Sequence, residues 1–317
     1  MIPIYKNKSA EEYSNYRPIS LLPTLSKIME KVMHKRLYNF LNTNNIFYSS
    51  QFGFRPKCST THAIALLTAH ILEALDNKQH TIGVFLDLSK AFDTINHKTL
   101  LYKLQHYGIR GLALEWFRSY LSDRKQFVHF NGIDSSIEDV TYGAPQGPVL
   151  FIIYTNDLPN TMRSSGCILF ADDTTLYQSS KDINLIINNL SKELETLTHW
   201  FKANKLSLNI NKTKYVIFTK TPNILITQNL KLGGEVIHRV DNIKFLGIHI
   251  DSNLNWSKHI QHCRNKMSSG LYALKSVKHI LSRKHLKSLY YTLINPYISY
   301  GLLIWEATTK KIRIKSR

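Results

Sequence analysis

Two adjacent carboxylates, Asp172 and Asp173, stand within a stretch that is otherwise apolar and β-branched, and this feature constrains the fold most strongly. Residues 168–171 and 174–177 have the composition of β-strands, so the sequence predicts a tight hairpin with both acids at its tip. Because like charges repel, a chain that places two of them together usually offers them to a cation. An acidic turn without a ligand is the alternative interpretation.

A third carboxylate, Asp87, ends another apolar run, which occupies residues 81–86. Acids at strand ends suit Mg²⁺, because this ion favours oxygen ligands and keeps coordination positions for water and phosphate. The sequence therefore predicts a site for two Mg²⁺ ions, with Mn²⁺ able to substitute.

Basic side chains greatly outnumber acidic ones: 41 Lys and Arg against 22 Asp and Glu give a formal net charge of +19. An apolar content of 43% supplies a core, so a wholly disordered chain is excluded. A charge bias of this size favours a polyanionic partner. A basic surface without a partner is the alternative.

The three cysteines, Cys58, Cys167 and Cys263, are widely spaced and odd in number, which favours a reducing compartment over a disulfide framework. His259 and His262 lie near Cys263, but no second ligand pair follows at zinc spacing, so we expect these residues to share one helix. No apolar run reaches membrane-spanning length and no secretion leader opens the chain, so we expect a soluble, unsecreted protein without a membrane partner.

Helical periodicity predicts a first helix that is capped by Thr24 and buries one apolar face. The residues of that face are Leu25, Ile28, Met29, Val32, Met33, Leu37, Phe40 and Leu41. Further helices are predicted at 60–75, from 97 to a stop at Gly108, at 112–121, 149–157 and 182–205, and as two basic helices parted near residue 282 within 256–305. Strands are predicted at 127–130 and 137–141, paired with each other, and at several places within 206–250.

Six short motifs follow one another along the chain. They are Asn-Tyr-Arg-Pro-Ile-Ser-Leu-Leu (15–22), Gln-Phe-Gly-Phe-Arg (51–55), Phe-Leu-Asp-Leu-Ser-Lys-Ala-Phe-Asp (85–93), Pro-Gln-Gly (145–147), Phe-Ala-Asp-Asp (170–173) and Phe-Leu-Gly (245–247). Each motif alone is weak, but the ordered set resembles reverse transcriptases, and most closely those of non-LTR, LINE-type, jockey-like retrotransposons. The resemblance extends from Ile2 to Trp305.

The resemblance implies an α+β fold, the right-hand polymerase, with fingers, a palm built of an antiparallel sheet plus helices, and a helical thumb. The implied boundaries are about 1–80 and 97–140 for the fingers, about 81–96 and 141–250 for the palm, and about 251–317 for the thumb.

The resemblance also implies an RNA-directed DNA polymerase that joins a deoxynucleotide from a dNTP to the 3′ hydroxyl of a DNA primer on an RNA template. Asp87 and Asp172 would bind the two metal ions together with the backbone carbonyl of Leu88, and Asp173 would stand beside them. Lys212 matches a lysine that would protonate the departing pyrophosphate.

Nucleotide-binding residues are implied in the same way. Arg17 would clamp the triphosphate, a use that suits a planar bidentate donor. Phe92 would place its ring where a ribose 2′ hydroxyl would sit, and Gln146 with Gly147 would floor the pocket. Lys6 or Lys8 would assist the clamp. The template and primer contacts would come from Gln51, Gly53, Phe54, Arg55, Phe245, Leu246 and Gly247.

The chain departs from the family pattern after Gly147, which runs directly into Pro148, so that about four residues of the usual sequence are missing. Four residues make nearly one helical turn, so we expect the following helix to keep its apolar face in phase. We expect the shortening to alter the nucleotide pocket instead. An endonuclease expected upstream is absent, as is a terminal zinc knuckle, so we expect a fragment or remnant of a mobile element.

Two other functions stay open at this point. The first is a catalytically inactive remnant that only binds nucleic acid, motivated by the shortened segment after Gly147. The second is a polymerase that copies RNA into RNA, which the aromatic ring of Phe92 disfavours. An active enzyme of this kind would be intracellular with access to the nucleus, and the sequence leaves its oligomeric state open.

Overall fold

The computed structural model describes residues 1–6, 9, 11–143, 148–221, 224, 226 and 228–306 of the chain. The predicted residues Lys8, Gln146 and Gly147 lie outside this part. The helices are α1 Thr24–Thr43, α2 Thr60–Asp76, α3 His97–His106, α4 Leu112–Leu121, α5 Pro148–Thr155, α6 Ile183–Ala203, α7 Ser257–Val277, α8 Arg283–Leu293 and α9 Asn295–Ser299. The strands are β1 Ile2–Tyr5, β2 Tyr16–Ile19, β3 His80–Leu86, β4 Leu88–Ser89, β5 Lys125–Gln126, β6 His129–Phe130, β7 Ile133–Asp134, β8 Glu138–Asp139, β9 Gly166–Phe170, β10 Asp173–Ser180, β11 Ser207–Leu208, β12 Lys214–Phe218, β13 Lys231–Leu232, β14 Glu235–Val236, β15 His238–Arg239, β16 Asn242–Phe245 and β17 Ile248–Asp251.

The central sheet has the strand order β15-β12-β3-β10-β9. Strand β3 lies in its middle and pairs antiparallel with both β10 and β12, and β9 pairs antiparallel with β10. Only the short β15 runs parallel to its neighbour among the described strands of this sheet. Helices and a mainly antiparallel sheet confirm the predicted α+β class.

Both faces of strand β3 are covered, which explains why its sequence is almost continuously apolar rather than alternating. Ile82, Val84 and Leu86 point to one face and pack in a cluster with α3, α5 and α6. Phe85 points to the other face and packs with α2 and with the β16–β17 hairpin. The end of β3 is therefore held from two sides, and this end leads into Asp87.

Helix α1 departs from the prediction that its apolar face is buried. Leu37 and Leu41 are buried and Met33 is partly so, whereas Leu25, Ile28, Met29, Val32 and Phe40 are exposed. The helix is capped by Pro23, with Thr24 as its first residue. Periodicity indicates that a helix is amphipathic. Which part of its apolar face is buried depends on elements that are distant in sequence, and only the C-terminal half of α1 reaches the core.

The strand pairing predicted for residues 127–141 was also wrong. Strand β6 pairs with β7 across the Asn131-Gly132 turn, and β5 pairs with β8 outside them. A tight Asn-Gly turn joins the strands directly next to it, which here are β6 and β7. The predicted partner, residues 137–141, belongs to the outer pair.

The last described part of the chain is helical, as predicted. Helices α7 and α8 are separated by a break that includes Ser282, and His259, His262 and Cys263 all lie on α7. In the described residues no helix combines the length and the apolarity needed to cross a lipid bilayer.

Candidate active site

The β9–β10 hairpin carries the paired acids at its tip, as the sequence predicted. Phe170 pairs with Asp173, so the turn consists of Ala171 and Asp172. Strand β10 also pairs with β3, and Thr174 lies opposite Leu86, the residue before Asp87. Adjacent strands of one sheet therefore bring the three carboxylates to the same edge.

The electrostatics of the three acids show that they interact. Burial raises the pKa of Asp87, the ammonium of Lys212 opposes this effect, and the neighbouring Asp172 adds to it. The side chain of Asp173 reaches solvent, yet desolvation by the surrounding protein, followed by the charges of Asp172 and Asp87, raises its pKa to about 6. Negative charge is thus concentrated at this edge of the sheet beyond what the nearby cation neutralises.

This donor set fits a divalent metal ion in its chemistry. Carboxylate oxygens are the ligands that Mg²⁺ prefers, and the ion needs only one or two of them because water and phosphate complete its shell. Within the described ranges, no three His, Cys, Asp or Glu side chains converge as a ready-made metal cage. The predicted ligands are two side chains, Asp87 and Asp172, together with the carbonyl of Leu88, so they do not require such a cage.

Replacing Asp173 by Asn is expected to stabilise the metal-free protein near neutral pH. A carboxyl whose pKa is raised binds more protons in the folded chain than in the unfolded chain, so its contribution to stability falls as pH rises from the usual value near 4 through about 6. The side-chain amide of asparagine does not ionise, so the variant does not lose this stability as pH rises. The melting temperature of Asp173→Asn should exceed that of the wild type at about pH 7.5, and the difference should vanish at about pH 4. A difference that is independent of pH would contradict the interpretation.

The backbone of Asp87 is held by the segment between β11 and β12. Its carbonyl accepts a hydrogen bond from the backbone N–H of Asn209 (2.8 Å), and its N–H donates to Oγ1 of Thr213 (3.3 Å). The same segment carries Lys212, whose Nζ lies 3.7 Å from Oδ2 of Asp87. The structure therefore brings Lys212 to the acids, and Leu88 follows Asp87 as the first residue of β4.

The Gln51 to Arg55 segment packs directly against the hairpin tip. The N–H of Phe52 donates to the carbonyl of Leu169, and a Cβ built on Gly53 would lie 2.2 Å from the backbone nitrogen of Ala171. Ala171 has a φ of +56°, a conformation that is strained for a residue with a side chain and persists only where neighbours enforce it. Gly53 is such a neighbour.

Two polar side chains of this segment form hydrogen bonds within the protein. Gln51 is fully buried and its Oε1 accepts from the N–H of Gly53, while Arg55 donates to the carbonyls of Tyr48 and Gln51. Phe54 is 45% exposed. Among the segment's residues predicted to touch the template, Phe54 offers the largest free surface, and Gln51 supports the loop that carries it.

A cavity of about 230 Å³ lies beside Phe92. The Phe92 ring packs against Phe151 (centroids 4.6 Å apart) and meets Phe54 edge-on (6.1 Å). The cavity is lined by Met1, Pro18, Ser20, Lys90, Phe92, Asp93, Gln126, Val140, Tyr142 and Gly143. Arg17 lies on the exposed strand β2, next to Pro18 at the rim.

Sequence reasoning gave no role to Lys90 or Asp93, although both line this cavity. Burial raises the pKa of Asp93, and the positive charges of Lys90 and Lys6 oppose that rise. The signal was present in the motif, because both residues flank the Ala-Phe pair that was singled out for its ring. The predicted residues Gln146 and Gly147 follow Gly143 but lie outside the described residues.

The Phe245 to Gly247 segment forms the turn between β16 and β17. Leu246 and Gly247 both have positive φ, +45° and +90°. Phe245 is buried and packs edge-on against Phe85 of β3 (5.3 Å). Its ring connects the turn to the strand that ends at the acids, and Leu246 and Gly247 form the tip of the hairpin.

A larger cavity, of about 680 Å³, opens between α6 and the β13–β14 hairpin. Its lining includes Glu195, His199, Lys202 and Lys231 but none of the residues that the sequence singled out. The acids, the Phe92 cavity and the β16–β17 turn therefore define the candidate active site.

Comparisons with known proteins identify the family of the chain. Residues 4–250 match the family described as "Reverse transcriptase (RNA-dependent DNA polymerase)". The chain is 31% identical to the probable RNA-directed DNA polymerase from transposon BS of Drosophila melanogaster, over 96% of this chain and 35% of the relative. It is 30% identical to the RNA-directed DNA polymerase from mobile element jockey of the same species, over 99% of this chain and 36% of the relative.

The chain thus spans about a third of the length of these relatives. Among solved structures, a telomerase from Candida albicans aligns with 90% of this chain and 53% of its own, at 9% identity and a TM-score of 0.48. The match over residues 4–250 includes the sheet, the paired acids and the Phe92 cavity. The chain therefore belongs to the reverse transcriptase (RNA-dependent DNA polymerase) family, and its helices and central sheet have the predicted α+β class.

Proposed function

We propose that this chain is the RNA-directed DNA polymerase unit of a non-LTR retrotransposon, which transfers nucleotides from dNTPs to the 3′ hydroxyl of a DNA primer on an RNA template. The observation that carries the proposal is the meeting of Asp87 and Asp172 at one edge of the central sheet, where Asp87 directly follows β3 and Asp172 directly precedes the adjacent strand β10. The family match over most of the chain favours this function over that of an inactive remnant.

Reverse transcriptases generally act with divalent metal ions. Asp87, Asp172 and the carbonyl of Leu88 are the ligands that we propose for two Mg²⁺ ions, or for Mn²⁺ in their place. Bound there, the ions would make the primer hydroxyl a better nucleophile and neutralise the departing pyrophosphate.

The protein groups around the metal site have separate tasks. The interactions of Asn209 and Thr213 with the backbone of Asp87 hold that residue in place. Asp173 adds negative charge beside Asp172, which strengthens the attraction for cations. Lys212 has an exposed side chain near Asp87, from which its ammonium can donate a proton to pyrophosphate.

The cavity beside Phe92 is proposed as the nucleotide pocket. Lys6, Lys90 and Arg17 supply positive charge near it for a triphosphate, and Gln146 with Gly147 would complete its floor. The ring of Phe92 is held by Phe151, so it cannot easily move away from a ribose 2′ hydroxyl.

Nucleic acid would run across the face that joins the acids to the last helices. Phe54, with the loop of Gln51, Gly53 and Arg55, would meet the template, and the Phe245, Leu246 and Gly247 turn would meet the primer. Helices α7 and α8 add positive charge that suits a phosphate backbone. The basic residues of this surface are Lys258, Arg264, Lys266, Lys275, Lys278, Arg283, Lys284 and Lys287.

The proposed arrangement also divides the chain into regions. We propose fingers at about 1–80 and 97–140, a palm at about 81–96 and 141–250 that contains the central sheet, and a thumb at about 251–317.

Primer extension on poly(rA) with an oligo(dT) primer tests the proposed function. The chain should add dTMP in the presence of Mg²⁺ or Mn²⁺ and none with EDTA. The same assay on a variant with Ser-Val-Leu-Gly inserted after Gly147 tests the shortened segment. Activity only after insertion would mean that the acid site is sound and the pocket is broken. Correctly folded protein that binds the duplex but extends no primer in either form would overturn the proposal in favour of the nucleic-acid-binding remnant.

Replacing Phe92 by Ala should relax the choice between deoxynucleotides and ribonucleotides. The ring is proposed to exclude the 2′ hydroxyl, so its loss should raise the relative use of UTP over dTTP by about tenfold or more. The ratio of kcat/KM for the two nucleotides is the measurement. Phe54→Ala, which removes the neighbouring ring, controls for lost packing. An unchanged ratio in Phe92→Ala, or efficient use of UTP by the wild type, would contradict the assignment.

A further inference from the structure

Tyr300, directly after α9, touches two parts of the chain that are distant from it in sequence. Its hydroxyl lies 2.5 Å from the carbonyl oxygen of Leu246 and 2.7 Å from Oγ1 of Thr60. Leu246 belongs to the β16–β17 turn, and Thr60 is the first residue of α2. One phenol therefore joins the last described helices, the turn and the helix that follows the 51–58 loop.

The two contacts have different hydrogen-bond roles. A backbone carbonyl can only accept, so the single phenolic proton of Tyr300 is donated to Leu246. The hydroxyl of Thr60 can supply its own proton to the phenolic oxygen. Both groups are then satisfied by Tyr300, and replacing it with Phe leaves the carbonyl of Leu246 without this partner.

Close packing supports the same contact. A Cβ built on Gly247 would lie 3.2 Å from Cε1 of Tyr300, so the glycine lets the turn lie directly against the ring. At Gly301, a Cβ would lie 2.3 Å from Cδ1 of Ile248. Nε1 of Trp305 donates to the carbonyl of Tyr300 (3.2 Å), which fixes the backbone that carries the ring.

We infer that Tyr300 is a positioning residue for the primer, which holds the Leu246–Gly247 turn at a fixed place relative to the catalytic acids. This inference rests on the proposed function, in which that turn meets the primer. Phe245 anchors one side of the turn to β3, and Tyr300 anchors the other side to α2 and to the last helices. Together these two contacts hold the turn in one position relative to β3 and α2.

The variant Tyr300→Phe tests the inference, because it removes the hydroxyl and keeps the ring. Tyr297→Phe is the matched control: Tyr297 lies on α9, is half-buried, and its hydroxyl has no hydrogen-bond partner in the part of the chain that the structure covers. Loss of the hydrogen bond should raise the KM for primer–template about three- to tenfold, with kcat changed by less than about twofold. The number of nucleotides added per binding event should fall as well.

Two further measurements separate this inference from the proposed function. Amide hydrogen exchange at residues 246–248 should become faster in Tyr300→Phe and stay unchanged in Tyr297→Phe, whether or not the chain extends primers. Thr60→Ala combined with Tyr300→Phe should show a smaller effect on this exchange than the sum of the single variants, because the hydroxyls share one interaction.

The outcomes are distinct. A wild type that extends no primer would remove the proposed function, and the hydrogen exchange would still decide whether Tyr300 fixes the turn. Equal exchange at residues 246–248 in Tyr300→Phe and Tyr297→Phe would overturn the inference. In an active enzyme, equal primer KM values for the two variants would overturn it as well.

Discussion

Gly53→Ala is expected to lower the rate of primer extension by about 100-fold while the chain stays folded. The added methyl group would lie 2.2 Å from the backbone nitrogen of Ala171 and 2.9 Å from the carbonyl carbon of Phe170. Neither atom belongs to a flexible side chain that could turn away. Either the 51–55 loop or the turn that carries Asp172 must move.

A shift of that turn would be costly for the proposed reaction, because the acids would act by holding the metal ions in position. Displacing a reacting group by about 1 Å can reduce a rate about 100-fold, since the attacking and leaving atoms must be aligned. The substitution removes none of the basic side chains of α7 and α8, so the salt-dependent part of primer–template binding should be retained.

Gly234→Ala is the matched control for this experiment. Gly234 lies in the β13–β14 turn with open space around it, but its φ of +90° makes alanine strained there, at about 1–2 kcal/mol. The control therefore loses stability without touching the acids. Circular dichroism and melting temperature establish folding of both variants. Extension by Gly53→Ala at the rate of Gly234→Ala would show that the 51–55 loop does not set the catalytic turn.

The sequence predicted the elements whose signal is local. The acid pair between two strand-like runs predicted the β9–β10 hairpin, and the apolar run before Asp87 predicted β3. Helical periodicity predicted α2 and α6 close to their observed bounds. In each of these elements the apolar residues of the pattern are the ones that the structure buries, fully or partly. The reason is that these elements lie in the centre of the fold and pack against neighbours along their length.

Contacts between segments that are distant in sequence could not be predicted from local patterns. The exposed face of α1 has the same periodicity as a buried face, so Leu25 and Leu41 could not be distinguished by spacing alone. The approach of Gly53 to Ala171 and of Tyr300 to Leu246 depends on how loops lie across the sheet. The glycine of the Gln-Phe-Gly-Phe-Arg motif was noted as a template contact, whereas the structure gives it an additional, steric reason to be glycine.

Asp172→Asn is expected to reduce primer extension about 1,000-fold, because the change weakens a proposed metal ligand that would support about 4 kcal/mol of transition-state stabilisation. Asp172 is a better choice than Asp87 for this test. Removing the carboxylate of Asp87 would also leave Lys212 without its partner, and the two effects could not be separated.

Stability should change in the opposite direction. Asp172 raises the pKa of both Asp87 and Asp173, which means that its charge opposes theirs in the metal-free protein. An amide removes that repulsion, so the melting temperature without metal should equal or exceed that of the wild type. Mg²⁺ should raise the melting temperature of the wild type and have little effect on the variant, because binding to the folded state alone is what stabilises it.

Asp76→Asn is the control, since it changes the net charge equally and removes only an exposed ion pair with Lys220. Both variants should bind primer–template with the wild-type salt dependence. An Asp172→Asn protein that still extends primers, or that keeps the Mg²⁺-dependent rise in melting temperature, would exclude Asp172 as a ligand. Lost activity together with a lost metal response and retained primer–template binding would instead separate catalysis from nucleic-acid binding within this one chain, because only one acid at the sheet edge had been altered.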